Sequence, residues 1–320
     1  MLNTPNKLPA NKGVWILRAV THPVLKAFIT VLLLTLLIYY LDLVAVWARI
    51  IDVNLWYVMA AISCMITGYI LCGIRWMWIA KGLGMRVSPS RKVQLYFLGM
   101  FTSLFLPSTI GGDVVRGVLL AKGEGRSGMG LIATASVILD RANGLFALIT
   151  LLTVCMFWFS WPAIWWWLWS VAIITAWSTM MLYPRIHQHL PQKMRRIQNL
   201  PLDQSSFHIQ WWRSLPVSLL FQIMIIQAHV FLGMAVGLAM PWPAFAMMVG
   251  LVALVAILPI SLNGFGVREA GYVGLAVYFG GNNEAAAAMA ALWVFVLVVS
   301  ALPGAWVLWR LGGIHAIHRD

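Results

Sequence analysis

The sequence predicts an all-α polytopic membrane protein, with six transmembrane helices plus two opposed re-entrant helical hairpins in an inverted repeat. Three observations predict this fold class. The 320 residues are 62% hydrophobic and only 10% charged, whereas about a quarter of a soluble domain is charged. Six apolar runs are long enough to cross a bilayer, which takes roughly 20 residues. Two further apolar segments are each interrupted by a copy of one polar, glycine-rich motif.

The six predicted spans follow the continuous apolar runs. They are expected near residues 25–42, 54–74, 129–157, 163–183, 214–239 and 285–310. The net charge of +13 comes from short loops between these runs, which is a topology signal of membrane proteins. We therefore expect no nucleic-acid partner.

The loop charges predict the orientation. Lys and Arg gather in the N-terminal segment, in 75–92, in 184–213 and at the C-terminus, whereas the turns at 158–162 and 240–243 carry no charge. Because basic loops stay on the cytoplasmic side, both termini are expected in the cytoplasm.

The same rule orients the two interrupted segments. Segment 94–121 has basic flanks on both sides and is expected to enter and leave from the cytoplasm, whereas 243–281 has uncharged or acidic flanks and is expected to do so from outside. We interpret residues 1–320 as a single membrane domain, with inverted-repeat halves at 24–158 and 163–312. Secondary transporters commonly share this plan and bind substrate near the bilayer midplane.

The interruptions read PSTIGGDVVR at 107–116 and PISLNGFGVR at 259–268. Proline cannot continue a helix, and glycine tolerates backbone shapes that other residues resist. The relevant glycines are Gly111, Gly112, Gly264 and Gly266. New helices are predicted from Asp113 and Gly266, and their free first-turn N–H groups would form an anion site. Such backbone is tolerated at membrane depth only if it is buried in protein or lines a wet cavity.

Ionisable residues near the motifs are the candidate substrate-binding residues. They are Asp113, Arg116, Asp140, Arg141, Arg268 and Glu269. Each charge costs about 2.5–3.5 kcal/mol at bilayer depth, so these groups must be paired or hydrated. In one interpretation they form structural ion pairs: Asp113 with Arg116, Asp140 with a neighbouring Arg, and Arg268 with Glu269. In the other, the guanidinium groups bind an anionic group bidentately.

Smaller polar residues of the motifs complete the candidate set. These are Ser108, Thr109, Ser261 and Asn263. They could hydrogen-bond a lipid head group or cap the following helices.

Enzyme signatures are absent from the sequence. No P-loop, GxSxG, HExxH or dinucleotide fingerprint occurs, and the three cysteines lie in apolar runs without metal-ligand spacing. We therefore expect no catalytic residue, no cofactor and no metal.

Three stretches carry a family resemblance: PSTIGGDVVR, ASVILDR at 135–141 and LPISLNGFGVREAG at 258–271. Over roughly residues 25–312 the chain resembles the lysylphosphatidylglycerol synthase/flippase transmembrane-domain family. The resemblance implies a bacterial inner-membrane location and lipid translocation by the motif residues. The sequence stops at Asp320 without the soluble aminoacyl-transferase domain of the full synthase, so only the transport half is implied.

Residues and resemblance together predict a flippase. Its substrate would be a membrane lipid with an anionic or phosphate-bearing head group, such as a phospholipid or polyprenyl-linked glycolipid. The alternative is an integral-membrane glycosyltransferase or its accessory subunit, with Asp113 or Glu269 as the candidate acid. A third hypothesis is that the protein is a structural partner of a separate enzyme. The sequence does not identify the lipid, the direction of transport or the energy source. The partner could be a second copy of the chain or a separate enzyme.

Overall fold

The fold is taken from a computed structural model of the chain. It describes residues 23–86, 88–106, 111–126, 128–186, 200, 202, 205–258, 261 and 264–311. These residues are helical apart from short turns. The helices are α1 Pro23–Tyr40, α2 Leu43–Ile51, α3 Leu55–Gly82, α4 Pro89–Phe105, α5 Gly111–Glu124, α6 Met129–Met156, α7 Ala163–Ile186, α8 Ser205–Val236, α9 Trp242–Ala256, α10 Val267–Tyr278, α11 Asn283–Ala301 and α12 Pro303–Arg310.

Short polar side chains start several of these helices. The Asp42 carboxylate accepts from the N–H of Val44 at 2.9 Å, and Asn282 accepts from the N–H of Ala285 at 2.8 Å. These contacts satisfy first-turn donors that have no partner within a helix. The cap at Asp42 also explains a missed element: residues 43–51, predicted as a loop, form α2, bent by 88° from α1.

Four of the described helical stretches are long and apolar enough to cross a membrane, or five if α1 and α2 form one bent span. They are α3, α6, α8 and the α11–α12 pair. This is the all-helical architecture with several spans that the composition predicted. The boundary of α3 was wrong, because the helix continues to Gly82 instead of ending near residue 74.

The pair α3 and α8 forms the centre of the molecule. Gly68 of α3 faces the Phe221 ring of α8, and Gly82 lies against the backbone of Phe207. The small residues let the two helices approach closely, as is common where helices pack in membranes.

Helices α4 and α5 form a hairpin whose two ends meet. The backbone N–H of Arg86, before α4, donates to Glu124 Oε1 at 2.6 Å, and Arg126, after α5, donates to the carbonyl of Gly84 at 3.2 Å. Helix α5 packs so tightly on α4 that a Cβ on Gly112 would lie 1.9 Å from the Gly99 carbonyl oxygen. We call the region of residues 82–86, 88–92, 122–126, 128, 200, 202 and 205–213 the basic end.

Helices α9 and α10 form a second hairpin, and its ends meet at the other end of the molecule. A Cβ on Gly281, after α10, would lie 2.8 Å from Leu238 and 3.0 Å from Met240, which precede α9. At this opposite end, Arg49 Nη1 also donates to the carbonyl of Val236 at 2.9 Å. Helix α3, about 40 Å long, connects the two ends, so the hairpins begin and finish at opposite ends of the molecule.

Candidate functional site

Asp140 lies at the centre of a buried ionic network. Its Oδ1 accepts from Arg75 Nε at 2.6 Å, and its Oδ2 accepts from Arg116 Nη2 at 3.0 Å. Asp140 and Arg116 are 0% and 1% exposed, and Arg75 is 4% exposed. One carboxylate of α6 therefore joins α3 to α5.

Asp113 extends this network toward the surface. Its Oδ1 accepts from Arg116 Nε at 3.0 Å, and its Oδ2 accepts from Arg141 Nε at 2.5 Å. The Asp113 side chain is 5% exposed, whereas that of Arg141 is 49% exposed. The network is thus buried at Arg75 and exposed to the surface at Arg141. We call the five residues Arg75, Asp113, Arg116, Asp140 and Arg141 the ionic network.

Two aromatic rings enclose Arg116. The Cζ atom of its guanidinium lies 4.7 Å from the ring centroid of Trp76 and 4.7 Å from that of Tyr96. The Trp76 Nε1 donates to Ser136 Oγ at 3.0 Å, which fixes its indole. A cation over an aromatic face gains about 0.5–2 kcal/mol, so the rings offset part of the cost of burying this charge.

Uncharged polar groups continue the network on its buried side. Arg75 Nη1 donates to Ser218 Oγ at 3.3 Å, and Ser218 in turn donates to Asn143 Oδ1. Asn143 Nδ2 donates to the carbonyl of Trp211 at 3.3 Å, and Gln222 donates to that of Gly144 at 2.9 Å. Gln222 thus connects α8 to α6 by an interhelical hydrogen bond.

The ionic network carries more positive than negative charge. Three guanidinium groups face two carboxylates, which leaves a surplus of one positive charge among the described residues. Arg116 Nη1 is buried and has no hydrogen-bond partner in the described part of the chain. A buried unsatisfied donor costs about 1–3 kcal/mol, so a further acceptor at Arg116 Nη1 would stabilise the network.

The charged residues of the second motif behave differently. Glu269 Oε2 accepts from the backbone N–H of Gly266 at 2.7 Å, so the chain's own carboxylate fills the predicted anion site at the start of α10. The predicted pair of Arg268 with Glu269 is not among the ion pairs of the described residues. Arg268 is half-buried.

Aromatic side chains pack beside Arg116. Arg116 contacts Tyr96, and the Tyr69 and Tyr96 ring centroids are 6.5 Å apart. Arg116 is closed off from solvent in this conformation, instead of facing the wet cavity that the motifs predicted.

The predicted site residues therefore divide into groups. The structure brings together Asp113, Arg116, Asp140 and Arg141. Of the second motif, Ser261 is buried, and Gly264 and Gly266 have positive φ angles of 81° and 79°. Three predicted residues lie outside the described residues: Ser108, Thr109 and Asn263.

The first-motif glycines have a different role from the predicted one. Gly111 and Gly112 begin α5, two residues before the predicted start at Asp113, and neither has a positive φ angle. Their lack of a side chain matters for packing, because a Cβ on Gly111 would lie 2.6 Å from Leu106.

Sequence reasoning missed Arg75 and its neighbours. The predicted basic loop at 75–92 includes Arg75, whereas the structure buries Arg75 in α3, where it binds Asp140. The stretch RWMWIAKG at 75–82 is apolar enough to continue a helix, and this was the available signal. Neither spacing nor composition predicted that Trp76 and Tyr96 enclose Arg116, because they come from different helices.

The described residues contain no group of three His, Cys, Asp or Glu side chains that could hold a metal ion. Cys64, Cys72 and Cys155 are free thiols.

A known sequence family covers most of the chain. The family model for the lysylphosphatidylglycerol synthase transmembrane region matches residues 24–304. The chain belongs to this family. All five ionic-network residues and both motifs of this lysylphosphatidylglycerol synthase transmembrane-region protein lie inside the matched range. Membership supports a multi-pass membrane location and a lipid-related function. No curated protein matches the chain significantly.

Proposed function

We propose that the protein is a flippase that moves an anionic or phosphate-bearing lipid between the leaflets of a bacterial inner membrane. The observation that carries the proposal is the ionic network, with its surplus positive charge and its opening at Arg141. Family membership supports the lipid as the class of substrate.

The position of Arg141 favours a lipid head group over a structural role alone. It is the thirteenth residue of the 28-residue α6, about 18 Å along the helix, yet half of its side chain is exposed. Apolar residues share this exposed face: Val114 of α5 is 58% exposed and Ile138 of α6 is 63% exposed. Arg141 shares the Asp113 carboxylate with Arg116, and its exposed guanidinium lies where the phosphate of a lipid can bind it.

The two helix pairs support an inverted repeat. The α4–α5 ends meet at the basic end and the α9–α10 ends meet at the opposite end. We propose that both pairs are re-entrant hairpins and that the basic end, together with both termini, faces the cytoplasm.

We propose that the conformation with Arg116 enclosed is the closed state of a transport cycle. With Arg116 enclosed by Trp76 and Tyr96, a head group reaches Arg141 but not Arg116. We propose that rocking of one hairpin separates these rings, so that Arg116 and then Arg268 contact the phosphate. We propose that Tyr96, which contacts Arg116, and the neighbouring Tyr69 form the barrier in the closed state.

The contacts of the candidate acids favour transport over glycosyl transfer. Asp113 is 4% exposed and bound to two arginines, and Glu269 is engaged with the N–H of Gly266. A general acid or base must be within reach of the group whose proton it transfers. We therefore propose a non-enzymatic role for both carboxylates, which position arginines and helix ends.

Transport is tested in vesicles that contain the purified protein and a fluorescent phosphatidylglycerol, with dithionite quenching of the outer leaflet as the readout. We expect Arg141→Gln to remove most of the flipping, because it removes the accessible guanidinium while Asp113 keeps Arg116. Arg310→Gln is the matched control, since it removes one positive charge from the end of α12, where Arg310 contacts Trp306.

Arg268→Gln is expected to lower flipping as well. Equal flipping by Arg141→Gln and the unchanged protein, with both correctly folded, would overturn the assignment of Arg141. Absence of protein-dependent flipping of any anionic lipid would overturn the proposed function.

A further inference from the structure

A cavity at the basic end lies outside the ionic network. Its volume is about 630 Å³, and residues from the end of α3, the start of α4 and the start of α8 line it. Its lining residues are Met77, Trp78, Lys81, Gly84, Met85, Arg86, Pro89, Lys92, Gln210 and Arg213. Four of them are cationic, and none of these described lining residues is acidic. We call it the basic cavity.

Lys92 is the most informative residue of the basic cavity. It is only 2% exposed, and the described residues provide its ammonium group with neither a hydrogen bond nor an ion pair. Burial lowers the pKa of Lys92, Lys81 acts in the same direction, and Glu124 opposes both. Glu124 is already bound to Arg126 and to the backbone N–H of Arg86. The cavity thus contains a lysine whose side chain is almost entirely buried and whose ammonium group has no hydrogen-bond or ion-pair partner among the described residues.

The aromatic and apolar residues that line the cavity fit a lipid better than a soluble anion. Trp78 carries the Arg213 guanidinium over its ring at 4.8 Å, and Met77 and Met85 are apolar. A cavity lined by both cationic and apolar side chains is complementary to a phosphate head group attached to acyl chains. Basic pockets between helices at the cytoplasmic side of membrane proteins bind lipid head groups of this kind.

The amount of charge indicates the class of head group. Lys81, Arg86, Lys92 and Arg213 bring four positive charges into the cavity, whereas one phosphodiester carries a single negative charge. The volume of about 630 Å³ is also well beyond what a single phosphate fills. We propose that the basic cavity is a second binding site, separate from the ionic network, for a lipid head group that carries at least two phosphate charges.

Native mass spectrometry of the purified full chain in detergent tests this site. The probes are cardiolipin with two phosphates, phosphatidylglycerol with one, phosphatidylcholine with no net charge, and soluble pyrophosphate. We expect the unchanged protein to retain cardiolipin at least tenfold more tightly than phosphatidylcholine, with phosphatidylglycerol between them and pyrophosphate displacing cardiolipin only weakly.

The variants separate the cavity from general surface charge. Lys92→Met removes the buried cation without changing side-chain length much, and it is expected to weaken cardiolipin binding about tenfold. Arg91→Gln is the matched control, because it is the neighbouring residue, carries the same charge and is not among the residues that line the cavity. It is expected to change binding by less than about twofold.

A second cavity variant tests the site independently in case Lys92→Met does not fold. Arg213→Gln removes an exposed cavity cation, and it is expected to weaken cardiolipin binding about threefold or more. Equal loss in Arg91→Gln and Lys92→Met, or cardiolipin binding no tighter than phosphatidylcholine, would overturn the site. Pyrophosphate binding as tight as cardiolipin binding would overturn the lipid as its occupant. Flipping assays on Arg141 variants do not depend on any of these results.

Discussion

Replacement of Asp140 by Asn gives the sharpest test of the ionic network. Asp140 is 0% exposed and accepts from both Arg75 and Arg116. Asparagine keeps the size of the side chain and one acceptor oxygen, but it removes the negative charge that holds two buried guanidinium groups.

The structure sets the magnitude of this effect. Breaking a buried ion pair by removing one partner costs about 3–5 kcal/mol, because it leaves an uncompensated buried charge. Asp113→Asn should cost less, about 1–3 kcal/mol, because one of the two arginines that Asp113 binds, Arg141, is 49% exposed and can turn to water. At about 2 °C per kcal/mol, Asp140→Asn is expected to lower Tm by about 6–10 °C and Asp113→Asn by about 2–6 °C.

The assay is thermal unfolding of the purified protein in detergent, followed by tryptophan fluorescence. The double variant Arg75→Gln with Asp140→Asn is the control for charge pairing, because it removes a buried cation together with the carboxylate. It is expected to be more stable than Asp140→Asn alone. A loss for Asp140→Asn that is smaller than the loss for Asp113→Asn would refute the reasoning, and so would a double variant whose losses simply add.

Three further predictions concern packing, capping and topology. Gly112→Ala is expected to cost about 1–3 kcal/mol by overpacking against α4, whereas Gly117→Ala, whose Cβ would meet its nearest atom at 3.6 Å, should be neutral or stabilising in the same unfolding assay. Glu269→Gln should cost about 1 kcal/mol, because it weakens the cap of α10; no change in Tm would argue against that contact. In a background without the three native cysteines, Ser88→Cys should react with an impermeant maleimide only in inside-out vesicles, and Ser160→Cys only in right-side-out vesicles. Labelling of both from one side would contradict opposed hairpins.

Local sequence signals predicted much of the helix pattern. Helix α6 was expected at 129–157 and forms at Met129–Met156, and α7 begins at Ala163 as expected. These signals act over a few residues, since apolar runs and capping residues determine where a helix can form in a membrane. The signal failed at α3, because Arg75 and Lys81 suggested a loop although their neighbours are apolar.

The partners of the candidate site residues were beyond sequence reasoning. The structure brings Asp113, Arg116, Asp140 and Arg141 together and contains the predicted pair of Asp113 with Arg116, but adjacency did not predict Arg75 as a partner of Asp140. Asp140 and Arg141 are neighbours in the chain and point to different partners, because consecutive residues of a helix do not face each other. Asp140 instead binds Arg75, which is 65 residues away in the sequence.

The sequence by itself determined that this chain is a helical membrane protein with two glycine-rich interruptions and ionisable residues beside them. Only the tertiary structure decided that three arginines share two carboxylates, that aromatic rings enclose Arg116 and that Arg141 is the exposed end. The physical reason is the separation in sequence of the interacting residues. Helix formation depends on neighbouring residues, whereas charge compensation and burial depend on which distant helices pack together.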